Sequence, residues 1–366
     1  MDKQLIVDFR DWINENDWTL FEYREKEDRN QWNCICSAMD WIDVAIQYMN
    51  GHPLTTIGEN QSIELFSYLA CVDIIVEAVE QLNRVISFTQ KQLFKNDRDC
   101  FPDNPFQQTD RKYFKTIRAC FGAHPVNLED PESPNNETAK RFASWSGAFF
   151  GPGDFSVFLY SNKVDGKDIV LGIKYEQVNR FAEKYYHHLP VLKEKLQQQF
   201  SDFLQHMRNE KFEYDGDVVA RLKILREQSK LRLNNGYYNN AIEELLKTFQ
   251  TPITCASNRD LVNQYLNYLD EMVDEIHINL QNMTLIDLTN DVYEWPSGLP
   301  LQNGWGYWLE KLNSARLGLG YPQEYWMGKI KEIFEGQFTF KFRDAQELYV
   351  LVEAALYNLS LAKNKQ

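Results

Sequence analysis

A continuous helical pattern over residues 61–95 constrains the fold of this chain more than any other feature. Apolar side chains recur there at helical spacing, and a polar face with acids and one arginine runs beside them. The apolar stripe consists of Ile63, Phe66, Leu69, Ala70, Ile74, Ala78, Leu82 and Val85. A stripe of this kind is buried against other helices in a folded protein. The pattern therefore predicts a mainly α fold with a multi-helix bundle architecture.

Further helical patterns occupy most of the chain. A short amphipathic helix opens the sequence, a helix over 29–50 precedes the longest one, and a helix over about 108–121 follows it. After a loop at 125–137, another helix is predicted over about 175–209. The later predicted helices lie at 217–232, 237–249, 258–282, 304–317, 322–335 and 344–362. A turn-rich stretch at 295–300 interrupts this second series.

Residues 155–174 carry the one strong signal for a sheet. Apolar side chains alternate with other residues on both sides of a turn around Asp165 and Gly166, which is typical of a β-hairpin. The alternating positions are Phe155, Val157, Leu159, Ile169, Leu171 and Ile173. We predict two helical halves, a domain over 1–212 into which this hairpin is inserted and a C-terminal domain over 213–366.

The charge balance limits the classes of partner. The chain has 53 Asp and Glu residues against 39 Lys and Arg residues, a formal net charge of -14 over 366 residues. A protein that coats double-stranded nucleic acid without sequence preference needs the opposite sign. Any contact with nucleic acid must therefore come from a local basic site.

The cysteines and the N-terminus indicate a cellular compartment. Six cysteines are irregularly spaced, which predicts reduced thiols rather than a disulfide framework or a zinc site. The first residues lack the apolar run of a signal peptide, and no stretch approaches the length of a membrane span. We expect a cytoplasmic protein that makes no contact with a membrane.

A basic cluster lies on the predicted helix over about 108–121 of this acidic chain. Lys112, Lys115 and Arg118 are three and six residues apart, so on a helix they share roughly one side and can receive a phosphate. Gly122 is predicted to end the helix, and the break would let the chain curl back and bring His124 near Arg118. A histidine exchanges protons near neutral pH, and an arginine stabilises developing negative charge. We therefore predict Arg118 and His124 as catalytic residues and Lys112 and Lys115 as RNA-binding residues of a metal-free site.

The segment Arg118-Ala-Cys-Phe-Gly-Ala-His124 resembles the Arg-x4–6-His motif of the HEPN superfamily, whose helical domains occur in bacterial toxins, antiphage effectors and CRISPR-associated ribonucleases. The resemblance covers at most residues 29–209. It implies a metal-independent endoribonuclease without a cofactor, with RNA as substrate and a homodimer that forms a composite site. Active members commonly carry a polar residue directly after the arginine, and this chain has Ala119.

Structural roles for the same residues are the alternative. His124 could bond a backbone carbonyl at the helix end, and Arg118 could pair with the acids at 129–132. A second match to the spacing, Arg180 and His187, lies within a predicted continuous helix. The chain would then be a non-catalytic protein-interaction or regulatory module.

Each of the other candidate groups has a functional interpretation and a structural alternative. Asp73 and Glu77 could line a polar cleft that faces Arg118, or they could form a solvated helix face. Glu183 and His187 are one helical turn apart but lack a third metal ligand. An aromatic cluster in the C-terminal half could stack bases, although it is more typical of a core or a protein interface. Its members are Trp305, Tyr307, Trp308, Tyr321, Tyr325 and Trp326.

Overall fold

A computed structural model describes residues 1–25, 28–54, 61–130, 139–146, 151–289, 305–319 and 323–363. The chain forms two compact units, Met1–Ser201 and Asp202–Gln366. The boundary between them lies upstream of the predicted division after residue 212. Helices dominate both units and one small sheet interrupts the first, so the predicted mainly α fold with an inserted hairpin is confirmed.

Helices build the core of the first unit. Their bounds are α1 (Gln4–Glu15), α2 (Asp17–Arg24), α3 (Gln31–Gly51), α4 (Gln61–Ile86), α5 (Asp110–Arg118), α6 (Tyr175–Tyr186) and α7 (Leu189–Asn209), the last of which crosses the boundary. Helices α3 and α4 run antiparallel. This is shown by Arg84 in the last turn of α4, which donates to Gln31 at the start of α3. Ile42 on α3 and Leu69 on α4 are fully buried, whereas Ile63 and Phe66 at the start of the predicted α4 stripe are exposed.

Helix α4 ends at Ile86, nine residues before the predicted end at 95. Phe88 adopts a left-handed backbone with a φ of 48°, and the Thr89 amide donates back to the Arg84 carbonyl at 3.3 Å. This six-to-one bond around a left-handed residue is the Schellman helix end. The apolar spacing continues past Ile86, which is why the sequence pattern missed the stop.

The predicted helix over 175–209 is two helices, because the chain breaks at His187 and His188 between α6 and α7. Pro190 is the second residue of α7. A proline fits the first turn of a helix but would lack its amide bond inside one. The prolyl ring therefore favours the start of a new helix at this point. The spacing of apolar residues did not indicate this break, because it continues across both helices.

Four strands form an antiparallel sheet in the order β1 (Leu128–Glu129), β2 (Lys140–Ser146), β3 (Phe155–Ser161) and β4 (Ile169–Ile173). The predicted hairpin is β3 and β4, with Val157 opposite Leu171. The inward side chains of this pair are buried in the core of the first unit. The sequence patterns missed β1 and β2, because a two-residue strand has no period and β2 is rich in Ser and Ala.

The described part of the second unit is built from helices. They are α8 (Val218–Arg232), α9 (Gly236–Phe249), α10 (Arg259–Gln281), α11 (Trp305–Arg316), α12 (Gln323–Ile333) and α13 (Ala345–Lys363). Helix α13 is buried on two sides, since Leu351 packs with α8 to α10 and Val352 packs with α11 and α12. The predicted turn at 295–300 lies outside the described residues.

Among the described residues, no helix is both long and apolar enough to cross a membrane.

Candidate functional site

Helix α5 is held on α4 by its first turn and its apolar side. Arg111 donates to Glu77 at 2.8 Å and also pairs with Glu80, both on α4. Tyr113, Phe114 and Ile117 are buried in the core. Because these residues bury one side of the helix, the opposite side with the lysines is turned outward.

A wide π-helical turn over residues 119–123 follows α5 and carries His124. The His124 amide donates to the Ala119 carbonyl at 3.2 Å, and the His124 backbone leaves the helical conformation with a φ of -143° and a ψ of 44°. Within the turn, a Cβ on Gly122 would lie 2.1 Å from a ring carbon of Phe66. The helix therefore ends near Gly122 as predicted, through a widened turn that needs a residue without a side chain at this position.

A cavity of about 580 Å³ lies between the outward side of α5 and the sheet. Lys112, Lys115 and His124 line it together, so three of the four predicted site residues meet around one space. The remaining lining residues come from α5 and the segment before it, the π turn, strands β1 to β3 and the residues that flank β1. They are Gln108, Thr116, Ala119, Cys120, Asn127, Leu128, Glu129, Asp130, Arg141 and Leu159.

Arg118 lies outside this cavity. Its guanidinium pairs with the Asp73 carboxylate on α4, and the Arg118 side chain is 39% exposed. Burial raises the pKa of Asp73 above its ordinary value, and the charges of Arg118 and Lys115 counteract this. The curl at the helix end thus places His124 in one cavity with the two lysines, and Arg118 is not part of the lining of that cavity.

The acids of α4 face α5, as one reading of the sequence proposed, but they serve as partners for arginines. Asp73 holds Arg118, and Glu77 holds Arg111. Neither acid lines the cavity beside His124. We therefore assign them to the attachment of α5 to α4.

A buried ion pair that the sequence patterns missed forms one wall of the cavity. Arg141 on β2 contacts Asp130 at 3.0 Å, and its guanidinium also donates to the carbonyl of Lys167 at 2.6 Å. Both side chains of the pair are less than a tenth exposed. Asp130, one of the acids at 129–132 with which Arg118 could have paired, thus pairs with Arg141. An arginine within an alternating strand is the only signal that could have indicated this pair.

The cavity lining still carries the positive charges of two lysines after the pairing of Arg141 with Asp130. Among the described residues, Lys112 and Lys115 form no ion pair within 4 Å, whereas Arg141 and Asp130 cancel each other. Glu129 is the remaining acid of the lining and lies opposite Lys140 in the strand register. Two lysines and one imidazole around an open space can bind a phosphate and exchange a proton with it.

A group of possible metal ligands lies elsewhere in the first unit. Within the described ranges, Asp99, Cys100 and Asp110 have ligand atoms within 4.8 Å of one another. Lys184 already places its ammonium 2.6 Å from Asp99, and this bond lowers the pKa of Asp99 to about 2. The positive charge beside these ligand atoms is thus the ammonium of Lys184. Asp110 accepts hydrogen bonds from the backbone amides of residues 99 and 100. Glu183 and His187 are not part of this group.

Part of the predicted C-terminal aromatic cluster can be placed. Tyr307 and Trp308 on α11 pack edge to face with ring centroids 4.8 Å apart, and Lys311 lies over the Tyr307 ring. The side chains of Trp305, Tyr325 and Trp326, together with Tyr321, lie outside what the structure describes.

Comparisons of the chain with models of protein families, with curated proteins and with solved structures find no significant match. The sequence and the geometry above therefore carry the functional argument.

Proposed function

We propose that the cavity beside α5 binds the phosphodiester backbone of RNA and that His124 is its acid–base group. The protein would be a metal-independent endoribonuclease of the HEPN kind, acting as a homodimer in a toxin or antiphage defence system. The observation that supports this proposal is the meeting of Lys112, Lys115 and His124 around one open space.

The proposed reaction needs the groups of the cavity and one water molecule. His124 takes the proton of a ribose 2′-hydroxyl, and the resulting oxygen attacks the adjacent phosphorus. The bond from phosphorus to the 5′ oxygen breaks, that oxygen takes a proton from water, and the hydroxide left behind takes the proton that His124 holds. The products are a 2′,3′-cyclic phosphate and a free 5′-hydroxyl. Lys112 and Lys115 stabilise the negative charge that grows on the phosphate oxygens.

Arg118 has a smaller part in this proposal than the sequence motif suggested. Its guanidinium is already neutralised by Asp73, so it adds little positive charge at the cavity. The lysines take over the role of the charge-stabilising group. The homodimer stays a proposal that rests on the resemblance, and light scattering of the purified protein would test it.

Incubation of the purified protein with total RNA in excess EDTA tests the enzyme. We expect cleavage by the wild type, a loss of about 100-fold or more in His124→Ala, and a strong loss in the Lys112→Ala/Lys115→Ala variant. His187→Ala is the matched control, because His187 is an exposed histidine that also follows an arginine by the motif spacing. End-group analysis should find cyclic phosphates. Equal cleavage by the wild type and His124→Ala would contradict the proposal.

A non-catalytic interaction module is the second candidate, and the ion pair of Arg118 with Asp73 favours it. A guanidinium that is already paired cannot stabilise a phosphate without breaking its internal contact. For this candidate we expect no RNA cleavage by any variant, and a protein partner that binds the second unit. Circular dichroism of each variant would show whether a loss of activity comes from misfolding.

A further inference from the structure

The outer face of the sheet presents aromatic rings to solvent. Along β2 and β3, inward side chains alternate with outward ones, and Arg141 and Leu159 point to the cavity side. Phe142 and Tyr160 therefore point outward; they lie opposite each other in the strand register and are 42% and 44% exposed. Phe158 lies next to Tyr160 with nearly parallel ring planes, at an angle of 11° and a centroid distance of 6.1 Å.

One end of this outer face is covered by the chain itself. A Cβ on Gly172 would lie 1.5 Å from the Pro152 carbonyl oxygen, and Ser156 donates to the same oxygen. The segment before β3 therefore crosses the sheet at Ser156 and Gly172. The other end, with Phe142 and Tyr160, stays open to solvent, and the exposed Val170 borders it.

The open aromatic patch is too small for a stable interface with another protein. It extends over β2 to β4, which is about 10 Å at the usual spacing of strands. A stable protein–protein contact buries about 800 Å² on each partner. Flat bases need far less area, because each stacks on one ring, and every base offers a π face.

The patch and the cavity lie on opposite faces of the sheet, and the edge strand β1 lies between them. Glu129 lines the cavity and lies opposite Lys140 in the register. Lys140 precedes Phe142 by two residues on β2, so both belong to the same face of the sheet. A strand of RNA whose phosphate occupies the cavity would thus reach the rings after crossing one short edge strand.

We propose that Phe142, Phe158 and Tyr160 form a stacking platform for the bases of single-stranded RNA. This inference rests on the proposed function, since the cavity supplies the phosphate contacts. The platform has no hydrogen-bonding pattern that distinguishes bases, so it accepts any sequence that is unpaired, and it excludes duplexes whose bases are already stacked.

The test uses a 2′-O-methyl RNA of about ten nucleotides, a length within the usual site sizes of single-strand binders. The proposed reaction cannot cleave this probe, because its 2′-hydroxyl is blocked. An abasic oligomer of the same length has the same phosphates without the bases. Phe142→Leu/Tyr160→Leu keeps apolar bulk on the strands and removes both rings, and Phe21→Leu changes an exposed ring on α2 as the control.

We expect the double variant to bind the 2′-O-methyl RNA more weakly than the wild type in fluorescence anisotropy. Each base that no longer stacks should weaken binding roughly 5- to 150-fold. Its affinity for the abasic oligomer and the salt dependence of binding should not change. Phe21→Leu should behave as the wild type in every assay.

The outcomes separate this inference from the proposed function. Equal RNA binding by the wild type and the double variant would overturn the platform and leave the cavity proposal standing. Equal binding of the RNA and the abasic oligomer by the wild type would do the same. Failure of the wild type to bind either probe would overturn both proposals. A wild-type dimer that becomes a monomer in the double variant, with RNA binding unchanged, would mark the face as a contact between copies.

Discussion

Arg118 at the end of α5 forms an ion pair with Asp73 on α4, while His124 six residues later lines the cavity beside α5 together with Lys112 and Lys115. A π turn over residues 119–123 lies between Arg118 and His124. The positive charge available to a ligand beside His124 therefore comes from Lys112 and Lys115.

Removal of the two lysines should weaken RNA binding in a way that depends on salt. Each phosphate contact to single-stranded nucleic acid contributes about 0.7 to the slope of log affinity against log salt. We expect Lys112→Ala/Lys115→Ala to lower this slope by about 1.4, and Arg118→Ala to leave it nearly unchanged. Anisotropy titrations with 2′-O-methyl RNA over a salt series would measure both. A larger decrease in Arg118→Ala than in the lysine variant would contradict our assignment.

The π turn should not tolerate a side chain at Gly122 without a cost. A Cβ there would contact the Phe66 ring at 2.1 Å, so the ring or the turn must move. We expect Gly122→Ala to lower the free energy of unfolding by about 1–3 kcal/mol in urea denaturation. Gly51→Ala is the matched control, because nothing lies within 4 Å of its Cβ position at the end of α3. Restored stability in Gly122→Ala/Phe66→Ala would identify the clash as the cause.

The buried pair of Asp130 and Arg141 should matter for folding. Asp130→Asn would remove the carboxylate charge that the buried Arg141 contacts at 3.0 Å, and breaking a buried ion pair costs about 3–5 kcal/mol in comparable cases. Glu176→Gln removes the partner of Arg180 in an exposed pair at 3.3 Å, and it should change the stability by less than about 1 kcal/mol. Chemical denaturation of both variants at neutral pH would compare them. Similar stability of the two variants would show that the buried pair is not a structural requirement.

The ionisation of Glu353 should lower the stability of the second unit as the pH rises towards neutral. Glu353 lies on α13 beside Tyr349, and burial raises its pKa to about 7. The folded state therefore binds a proton that the unfolded state releases at lower pH, so the free energy of unfolding falls between about pH 4.5 and 7 and is level above. We expect Glu353→Gln to be about 1–3 kcal/mol more stable than the wild type near pH 8, with no gain near pH 4. An unchanged pH dependence in thermal denaturation would refute the assignment to Glu353.

Periodic features of the chain were predictable because each depends on neighbours in sequence. The apolar stripes predicted α3, the start of α4, and most helices of the second unit. Burial of Tyr113, Phe114 and Ile117 follows from their helical spacing, and it leaves Lys112 and Lys115 on the open side. The hairpin of β3 and β4 followed from alternation with a period of two.

Helix ends and strand β1 escaped prediction because single residues decide them. A left-handed Phe88 ends α4, and Pro190 near the break favours the separate start of α7. The two-residue strand β1 exists only because β2 pairs with it. These features depend on one backbone conformation or on a distant partner. Neither of these changes the periodic spacing of apolar residues along the sequence.

The sequence by itself determined that a mainly helical protein carries a basic helix side next to a histidine. Only the tertiary structure decided which groups share the cavity. Asp73, which precedes Arg118 by 45 residues, neutralises the charge of Arg118 in an ion pair. Arg141 contacts Asp130 because strands β1 and β2 pair. An ion pair depends on the distance between two side chains in space, and residue spacing along a chain fixes that distance only within one helix or one strand.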